Sequence, residues 1–136
     1  MIVDTSAILS ILFREEDARR FERAISLAST PRISAVTLVE AGMVAEARGG
    51  FGAGQDLDDL LERAQIEVIP VTREHADAAR DAWRCYGKGN HPAALNLGDC
   101  FVYALARTAG EPLLFKGRDF GLTDVEAAGG LDHENS

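Results

Sequence analysis

Cysteine, long apolar runs and basic residues are scarce in this sequence, and each scarcity excludes a class of protein. The two cysteines, Cys85 and Cys100, show no CxxC or Cys/His ligand spacing, which argues against a disulfide framework or a zinc ribbon and predicts two buried thiols. No run of about eighteen apolar residues occurs, and the first residues lack the pattern of a signal peptide. We therefore expect a cytoplasmic protein that does not enter a membrane.

The shortage of basic residues limits how the protein could contact a nucleic acid. Lys and Arg total 14 against 22 Asp and Glu, which gives a net charge of -8. A broad electropositive surface is therefore excluded, and any contact with RNA has to be local. An excess of acid is also what a cluster of carboxylates would produce, and such a cluster needs a cation or a basic partner to neutralise it.

The rest of the composition is that of an ordinary globular domain. Hydrophobic residues make up 46% and aromatic residues 7% of the 136 residues, which is enough chain to build one core. We expect one domain over 1–128 and a loose C-terminal tail over 129–136.

Short apolar segments alternate with helical periodicities along the chain, and no hairpin signal separates the strands. Parallel strands need such helical crossovers, so the pattern predicts a three-layer α/β fold with a mostly parallel sheet of four to five strands flanked by helices. The predicted strands are 1–4, 32–36, 66–71 and 112–115, with a weak last strand after 125. The predicted helices are 7–13, 18–28, 37–48, 56–64, 72–86 and 96–109, the last ending at Gly110.

The Gly-rich stretch GGFGAG at 49–54 has the look of a phosphate-binding loop but lacks its chemistry. The Lys-Ser/Thr pair of a Walker loop is missing, and no predicted strand precedes the stretch. We interpret it as a flexible connection between two helices.

Four acids occur where the predicted fold would bring them to one edge of the sheet. Ligands bind outside the carboxyl ends of parallel strands, so side chains at these positions are expected to face one site. Carboxylate oxygens, with Ser6 and Asn96 as neutral supporting oxygens, are the hard ligands that select Mg²⁺ or Mn²⁺. The four acids are Asp4 after the first strand, Glu40 in the helix after the second, Asp99 at the start of the last helix and Asp119 after the fourth strand.

Each of these acids also has a structural alternative. Asp4 could cap the helix that follows it, and Glu40 could complete a capping box begun by Thr37. Asp99 could complement the dipole of its helix, and Asp119 could be a turn residue. The convergence of all four on one edge is what favours a chemical role.

Four motifs in order carry a resemblance to a known family. They are DTSA at 4–7, LVEA at 38–41, LNLGDCFVYALA at 95–106 and LLFKGRDF at 113–120. Together they resemble the PIN-domain family and, more narrowly, the VapC-type ribonuclease toxins of bacterial toxin–antitoxin pairs. The resemblance implies a Mg²⁺- or Mn²⁺-dependent endoribonuclease that cleaves RNA with metal-activated water. It also implies a homodimer that a cognate VapB-like antitoxin inhibits.

The resemblance places the family's acids on particular residues of this chain. Its N-terminal acid corresponds to Asp4, its glutamate to Glu40 and its helix acid to Asp99. Many members carry a further acid directly before the aspartate of the DF pair, where this chain has Arg118. Asp119 or Asp124 is left to serve as the fourth acid, and whether the site holds one or two metals stays open.

Two surfaces follow as expectations from the same reading. Lys88, Lys116 and Arg118 flank the loops nearest the acids and are candidates for RNA binding. The first two helices carry more apolar side chains than one sheet face readily covers, so they either belong to the core or leave a surface for a partner helix. These side chains are Ile8, Leu9, Leu12, Phe13, Phe21 and Ile25.

Several other classes fit less well. A receiver domain needs an aspartate at the end of its middle strand, and the segment IEVIPVT has none, although Lys116 could serve as the lysine of that class. A haloacid-dehalogenase-type phosphatase needs a second aspartate at the position of Ser6. The histidines at 75, 91 and 133 are scattered and give no acid–base pair of a metal-free ribonuclease. A PIN-fold interaction protein with an impaired metal site stays open because of Arg118.

Overall fold

The computed structural model of the chain describes residues 1–129, which form a four-stranded sheet with helices on both faces. The strands are β1 (Ile2–Val3), β2 (Arg32–Ser34), β3 (Glu67–Ile69) and β4 (Leu113–Leu114). The helices are α1 (Thr5–Leu12), α2 (Ala18–Leu27), α3 (Ala35–Arg63), α4 (Arg73–Tyr86) and α5 (Leu97–Ala109), and a 3₁₀ turn spans Phe120–Leu122.

The sheet is parallel throughout and has the order β3-β2-β1-β4, so the N-terminal strand lies inside it. The predicted α/β class, the parallel sheet and its flanking helices are confirmed. Beyond β4, a single parallel bridge joins Leu113 to Ala127, where a weak last strand was expected. The predicted tail, apart from Gly129, lies outside the described residues.

Alternation along the short strands divides the core into two halves. Successive side chains of a strand point to opposite faces, so Ile2 and Leu113 pack with α4 and α5, whereas Val3 and Leu114 pack with α1, α2 and α3. All four side chains are at most 2% exposed. The sheet is thus anchored on both faces, and its carboxyl edge is held in a fixed position.

The two helices predicted on either side of 49–54 are present, and the connection between them is a kink at Gly50 rather than a longer loop. The chain stays helical on both sides of Gly50, which alone has non-helical angles (φ 76°, ψ -175°) and kinks α3. The second half of the helix is held down because Ala53 and Leu57 are buried. Burial of this face therefore outweighs the low helix propensity of the glycines.

Two further expectations concern burial and the membrane. Cys100 is buried, but the prediction for Cys85 is wrong because α4 buries its Ala79 and Ala82 positions and leaves Cys85 exposed. Across 1–129, none of the helices is both long and apolar enough to cross a membrane.

Candidate active site

Asp4 is fixed at the point where β1 ends and α1 begins. Its Oδ2 accepts hydrogen bonds from the backbone N–H of Ser6 at 3.0 Å and from the Ser6 hydroxyl at 2.6 Å. The residue is only 6% exposed, and this burial raises the pKa of its carboxyl, with the charge of Glu40 adding to the rise. Asp4 is therefore a helix cap and a buried acid at the same time.

Ser6 connects the end of β1 to the end of the neighbouring strand β4. While its hydroxyl donates to Asp4, the same oxygen accepts the backbone N–H of Lys116 at 2.9 Å. Lys116 follows β4 in the chain, so the hydroxyl ties the end of β1 to the segment after β4. The supporting role expected of Ser6 is thus visible as a bridge that orients Asp4.

Glu40 is not part of a capping box, contrary to one alternative from the sequence. The cap of α3 is Ser34, whose hydroxyl accepts the N–H of Val36 at 3.1 Å, and Thr37 lies inside the helix, fully buried. Glu40 instead reaches across to the start of α1, where its Oε1 accepts the hydroxyl of Thr5 at 2.6 Å. The first helix and the third helix are therefore joined beside Asp4.

The carboxylate of Glu40 also lies against Gly98 at the start of α5. A Cβ added at Gly98 would come within 2.4 Å of Glu40 Oε2, so any other residue would displace the carboxylate from this position. The sequence carried a signal for this contact, the glycine directly before Asp99 in LNLGDC, which the motif-based prediction did not use.

Asp99 begins α5 in a capping box with Asn96. The N–H of Asp99 donates to Asn96 Oδ1 at 2.9 Å, and the N–H of Asn96 donates to Asp99 Oδ2 at 3.1 Å. Burial, together with the charges of Asp4, Glu40 and Asp119, raises the pKa of Asp99 to about 6. A purely structural acid at a helix N-terminus would titrate lower, because backbone N–H donors stabilise its charge.

The two candidates for the fourth acid lie in different surroundings. Asp119 is exposed just before the 3₁₀ turn, and its charge acts on Asp99. Asp124 accepts the hydroxyl of Tyr103 and lies 3.5 Å from Arg107 Nη1. The structure therefore brings Asp119 toward the other acids and gives Asp124 a Tyr–Arg partnership of its own.

The three basic candidates differ in how free their charges are. Lys116 Nζ donates to Glu15 Oε1 at 2.8 Å and lies 3.9 Å from Asp17, so its charge is already paired. Lys88 and Arg118 are exposed, and neither forms an ion pair within the described part of the chain.

The histidines that the structure describes have structural partners. His75 completes the capping box of α4 with Thr72, and His91 Nδ1 accepts the N–H of Ala93 at 3.0 Å. His133 lies outside the described residues.

The apolar side chains of α1 and α2 are divided between core and surface. Ile8, Phe21 and Ile25 are buried, as one of the two readings required. The three others, Leu9, Leu12 and Phe13, are half-buried, and Leu9 and Leu12 pack against the same core, so a partner surface here stays a prediction.

The donor set of the acid cluster fits a hard cation. Carboxylate oxygens from separate elements meet without a basic side chain among the causes of their raised pKa values. Within residues 1–129, no three His, Cys, Asp or Glu side chains lie close enough to hold an ion directly. A Mg²⁺ ion at these acids would therefore bind through one or two carboxylates and complete its coordination with water.

Comparison with known proteins agrees with the motifs. The PIN domain family profile matches residues 1–126. Ribonuclease VapC30 of Mycobacterium tuberculosis is 48% identical over 125 residues, which cover 92% of this chain and 95% of that protein. This chain therefore belongs to the PIN domain family and, within it, groups with the VapC proteins, as the sequence predicted.

Solved structures agree with the fold. The crystal structure of Mycobacterium tuberculosis VapC20, a sarcin–ricin loop cleaving toxin, has a TM-score of 0.74 at 19% identity and covers 91% of this chain and 95% of that one. A toxin–antitoxin complex from Klebsiella pneumoniae has a TM-score of 0.66 at 17% identity, with 88% of each chain covered. At these identities the likeness concerns the fold.

Proposed function

We propose that this protein is a Mg²⁺- or Mn²⁺-dependent endoribonuclease and the toxin of a VapBC-type toxin–antitoxin pair. The observation that carries this function is the gathering of Asp4, Glu40 and Asp99, from three separate elements, at the carboxyl edge of the sheet. The relative at 48% identity bears the name ribonuclease, which supports the same activity.

Each residue of the cluster has a defined task in this function. Asp4 and Asp99, with Glu40 and the exposed Asp119, would hold the cation near the scissile phosphate. A bound Mg²⁺ would polarise the attacking water and stabilise charge on the phosphate oxygens. Thr5 and Ser6 fix the orientation of Glu40 and Asp4 by hydrogen bonds of 2.6 Å each. With a pKa of about 6, Asp99 is ionised at neutral pH and ready to bind a cation.

An antitoxin could inhibit the protein at the acid cluster. A guanidinium placed among the acids would pair bidentately with a carboxylate and occupy the cation's position.

A groove of about 900 Å³ lies beside α1, α2 and the second half of α3, with Ile11, Leu12 and Leu60 lining it between charged side chains. We propose that a helix of the antitoxin lies in this groove.

A homodimer has a separate candidate surface next to the acids. On α3, Val39 is 61% exposed and Met43 is 69% exposed. Both line an apolar groove with Val71 and Leu97, close to Glu40. Since a monomer rarely exposes such a patch, we propose that a second copy covers it.

The activity is tested by cleavage of total RNA with the purified protein, free of antitoxin, followed by sequencing of the new ends. We expect cleavage with Mg²⁺, none with EDTA, and loss of cleavage in Asp4→Asn, Glu40→Gln and Asp99→Asn. Asp124→Asn is the matched acid control and should cut at the wild-type rate. Wild-type rates in all three site variants would reject the site, and a folded protein without cleavage would favour the interaction protein.

Metal binding has a readout that does not depend on activity. Ligand that binds only the folded state stabilises it, by about 2.7 kcal/mol at a concentration 100 times the Kd. We expect millimolar Mg²⁺ to raise the melting temperature of the wild type and to leave that of an Asp4→Asn, Asp99→Asn double variant unchanged. An equal response in both proteins would contradict a metal at these acids.

Size exclusion tests both proposed partners, the antitoxin and the second copy of the chain. Co-expression with the neighbouring small reading frame should give a complex on size exclusion and relieve toxicity. The protein alone should have the mass of a dimer, and Val39→Asp, Met43→Asp should reduce it to a monomer. A monomeric wild type would reject the homodimer, and absence of a complex would reject the antitoxin.

A further inference from the structure

A second groove, outside the acid cluster, runs between α4 and α5. It has a volume of about 540 Å³, and its lining includes Ala79, Leu95, Cys100 and Phe101. Trp83 also lines the groove and is 53% exposed. Trp83 and its apolar neighbours form one contiguous apolar surface rimmed by polar side chains, and such a patch marks a binding site.

The indole of Trp83 is held in place by the end of its own helix. A Cβ at Gly87 would come within 2.4 Å of Trp83 Cδ1, so the ring lies directly on a residue that has to be glycine. The carbonyl of Trp83 accepts the N–H of Gly87 at 2.8 Å and Nδ2 of Asn90 at 3.0 Å. The ring is therefore a preorganised surface, which lowers the entropy cost of stacking a ligand on it.

The rim of the groove is basic although the protein carries a net charge of -8. Arg80, Arg84 and Lys88 line it. Arg84 pairs with Asp81, whereas Arg80 and Lys88 make no ion pair within the described residues. An aromatic ring between unpaired cations is the arrangement that binds single-stranded nucleic acid, with the base on the ring and the phosphates on the cations.

The groove is continuous with the proposed catalytic edge. Asn96 lines it and also forms the capping box with Asp99. A strand whose phosphate lies at the acids could therefore place a nearby base in the groove.

We infer that this groove binds one unpaired base of the RNA substrate, which stacks on Trp83 while Arg80 and Lys88 contact the flanking phosphates. The inference rests on the proposed function, because RNA is the ligand. The basic rim favours RNA over a protein partner, since the groove supplies cations where a phosphate backbone needs them.

The chain offers a direct probe, because Trp83 is its only tryptophan. The full-length protein in EDTA, where no cleavage is expected, is titrated with a single-stranded RNA octamer and with an octamer of the same length that lacks bases. We expect the RNA to quench tryptophan fluorescence and the abasic octamer to leave it unchanged. Stacking on an aromatic ring corresponds to a decrease of about 5- to 100-fold in affinity for Trp83→Ala, measured by anisotropy of labelled RNA.

Two further variants separate stacking from folding and charge. Trp83→Phe keeps a stacking ring and should retain most of the affinity, and Phe51→Ala, which removes a side chain 72% exposed on α3 and outside the groove, should change nothing. Arg80→Gln, Lys88→Gln should weaken binding and reduce the slope of log affinity against log salt by about 0.7 for each phosphate that the variant no longer neutralises.

The outcomes distinguish this inference from the proposed function. If the wild type cuts RNA but RNA neither quenches Trp83 nor binds more weakly to Trp83→Ala, the groove assignment is wrong and the ribonuclease stands. If RNA quenches Trp83 but is never cut, the groove stands and the ribonuclease fails. A fluorescence change caused only by protein concentration or by the antitoxin would assign the groove to a protein partner and overturn the inference.

Discussion

The two edges of the sheet differ in whether their carboxylates are paired with basic groups of the chain. At the amino ends of the strands, one carboxylate, Glu111, pairs with the N-terminal amine of Met1 and with the guanidinium of Arg32. At the carboxyl ends, Asp4, Glu40 and Asp99 gather, and no cation is among the causes of the raised pKa values of Asp4 and Asp99. The first edge is neutralised by the chain itself, and the second edge carries an excess of negative charge.

This difference indicates which edge the chain uses for stability and which for function. Clustered acids lower stability when they are ionised, because burial and mutual repulsion both oppose the charge. Proteins keep such local conflicts at functional sites, where an external ligand resolves them. The paired edge needs no such ligand, since its carboxylate already has two partners.

The largest expected effect comes from a pair of variants that neutralise one carboxylate at each edge of the sheet. Asp4→Asn should lower the rate of RNA cleavage by at least about 100-fold, because it removes a carboxylate that would hold the cation at the scissile phosphate. Asn still caps α1, so the melting temperature measured without divalent cations should hold or rise.

Glu111→Gln is the matched variant at the other edge. It should leave cleavage unchanged and lower the free energy of unfolding by about 1–3 kcal/mol, because it weakens two charged hydrogen bonds. Chemical denaturation measures this decrease. The comparison fails if Asp4→Asn destabilises the fold as much as Glu111→Gln does while cleavage persists.

A smaller effect is expected from Gly98→Ala, which changes the acid edge without removing an acid. The new Cβ would meet Glu40 Oε2 at 2.4 Å, and the flexible side chain has to move away. We expect cleavage to fall by about 10-fold, since a displacement of about 1 Å can cost that much or more, with little change in melting temperature. Gly121→Ala, which meets nothing within 4 Å, is the control. Equal activity in both variants would show that the position of Glu40 does not matter.

The smallest effect is the pH dependence of stability without divalent cations. The pKa of Asp99 is raised from 3.8 to about 6, so the folded state binds this proton more tightly than the unfolded state. The stabilisation is fully present below the unfolded pKa and is lost as the pH rises through about 6. Denaturation at a series of pH values should show this decline in the wild type and a flatter profile in Asp99→Asn. An identical profile in the two proteins would contradict the shift.

The sequence predicted the elements because each carries a local signal. Alternating apolar and helical periods located the strands and α5, and the Asn96–Asp99 spacing indicated the cap that the structure has. The length of the connection at the Gly-rich stretch was overestimated because the buried contacts of Ala53 and Leu57, which stabilise the helix after Gly50, are not visible in local propensity.

Residues of the site were harder to predict where their partners are distant in the chain. Thr37 looked like the cap because Glu40 follows it by three residues, while the true cap, Ser34, lay in the middle of the strand predicted over 32–36. The contacts of Glu40 with Thr5 and Gly98 join segments 35 and 58 residues away, so only the folded chain reveals them. The Tyr103 and Arg107 partners of Asp124 were missed for a related reason, because a sequence does not show which acids are already paired.

Because β1 lies inside the sheet, it pairs with two strands that are synthesised at different times. The strand emerges first, pairs with β2 some thirty residues later, and lacks its other neighbour until Leu113 and Leu114 have been synthesised. Ser6 likewise waits for the N–H of Lys116, and Asp99 arrives only shortly before. Because domains generally fold as units, a nascent chain stopped before β4 holds Asp4 and Glu40 but no completed site. The edge that gathers the acids is therefore completed only when residues more than a hundred positions apart, Ser6 and Lys116, have both been synthesised.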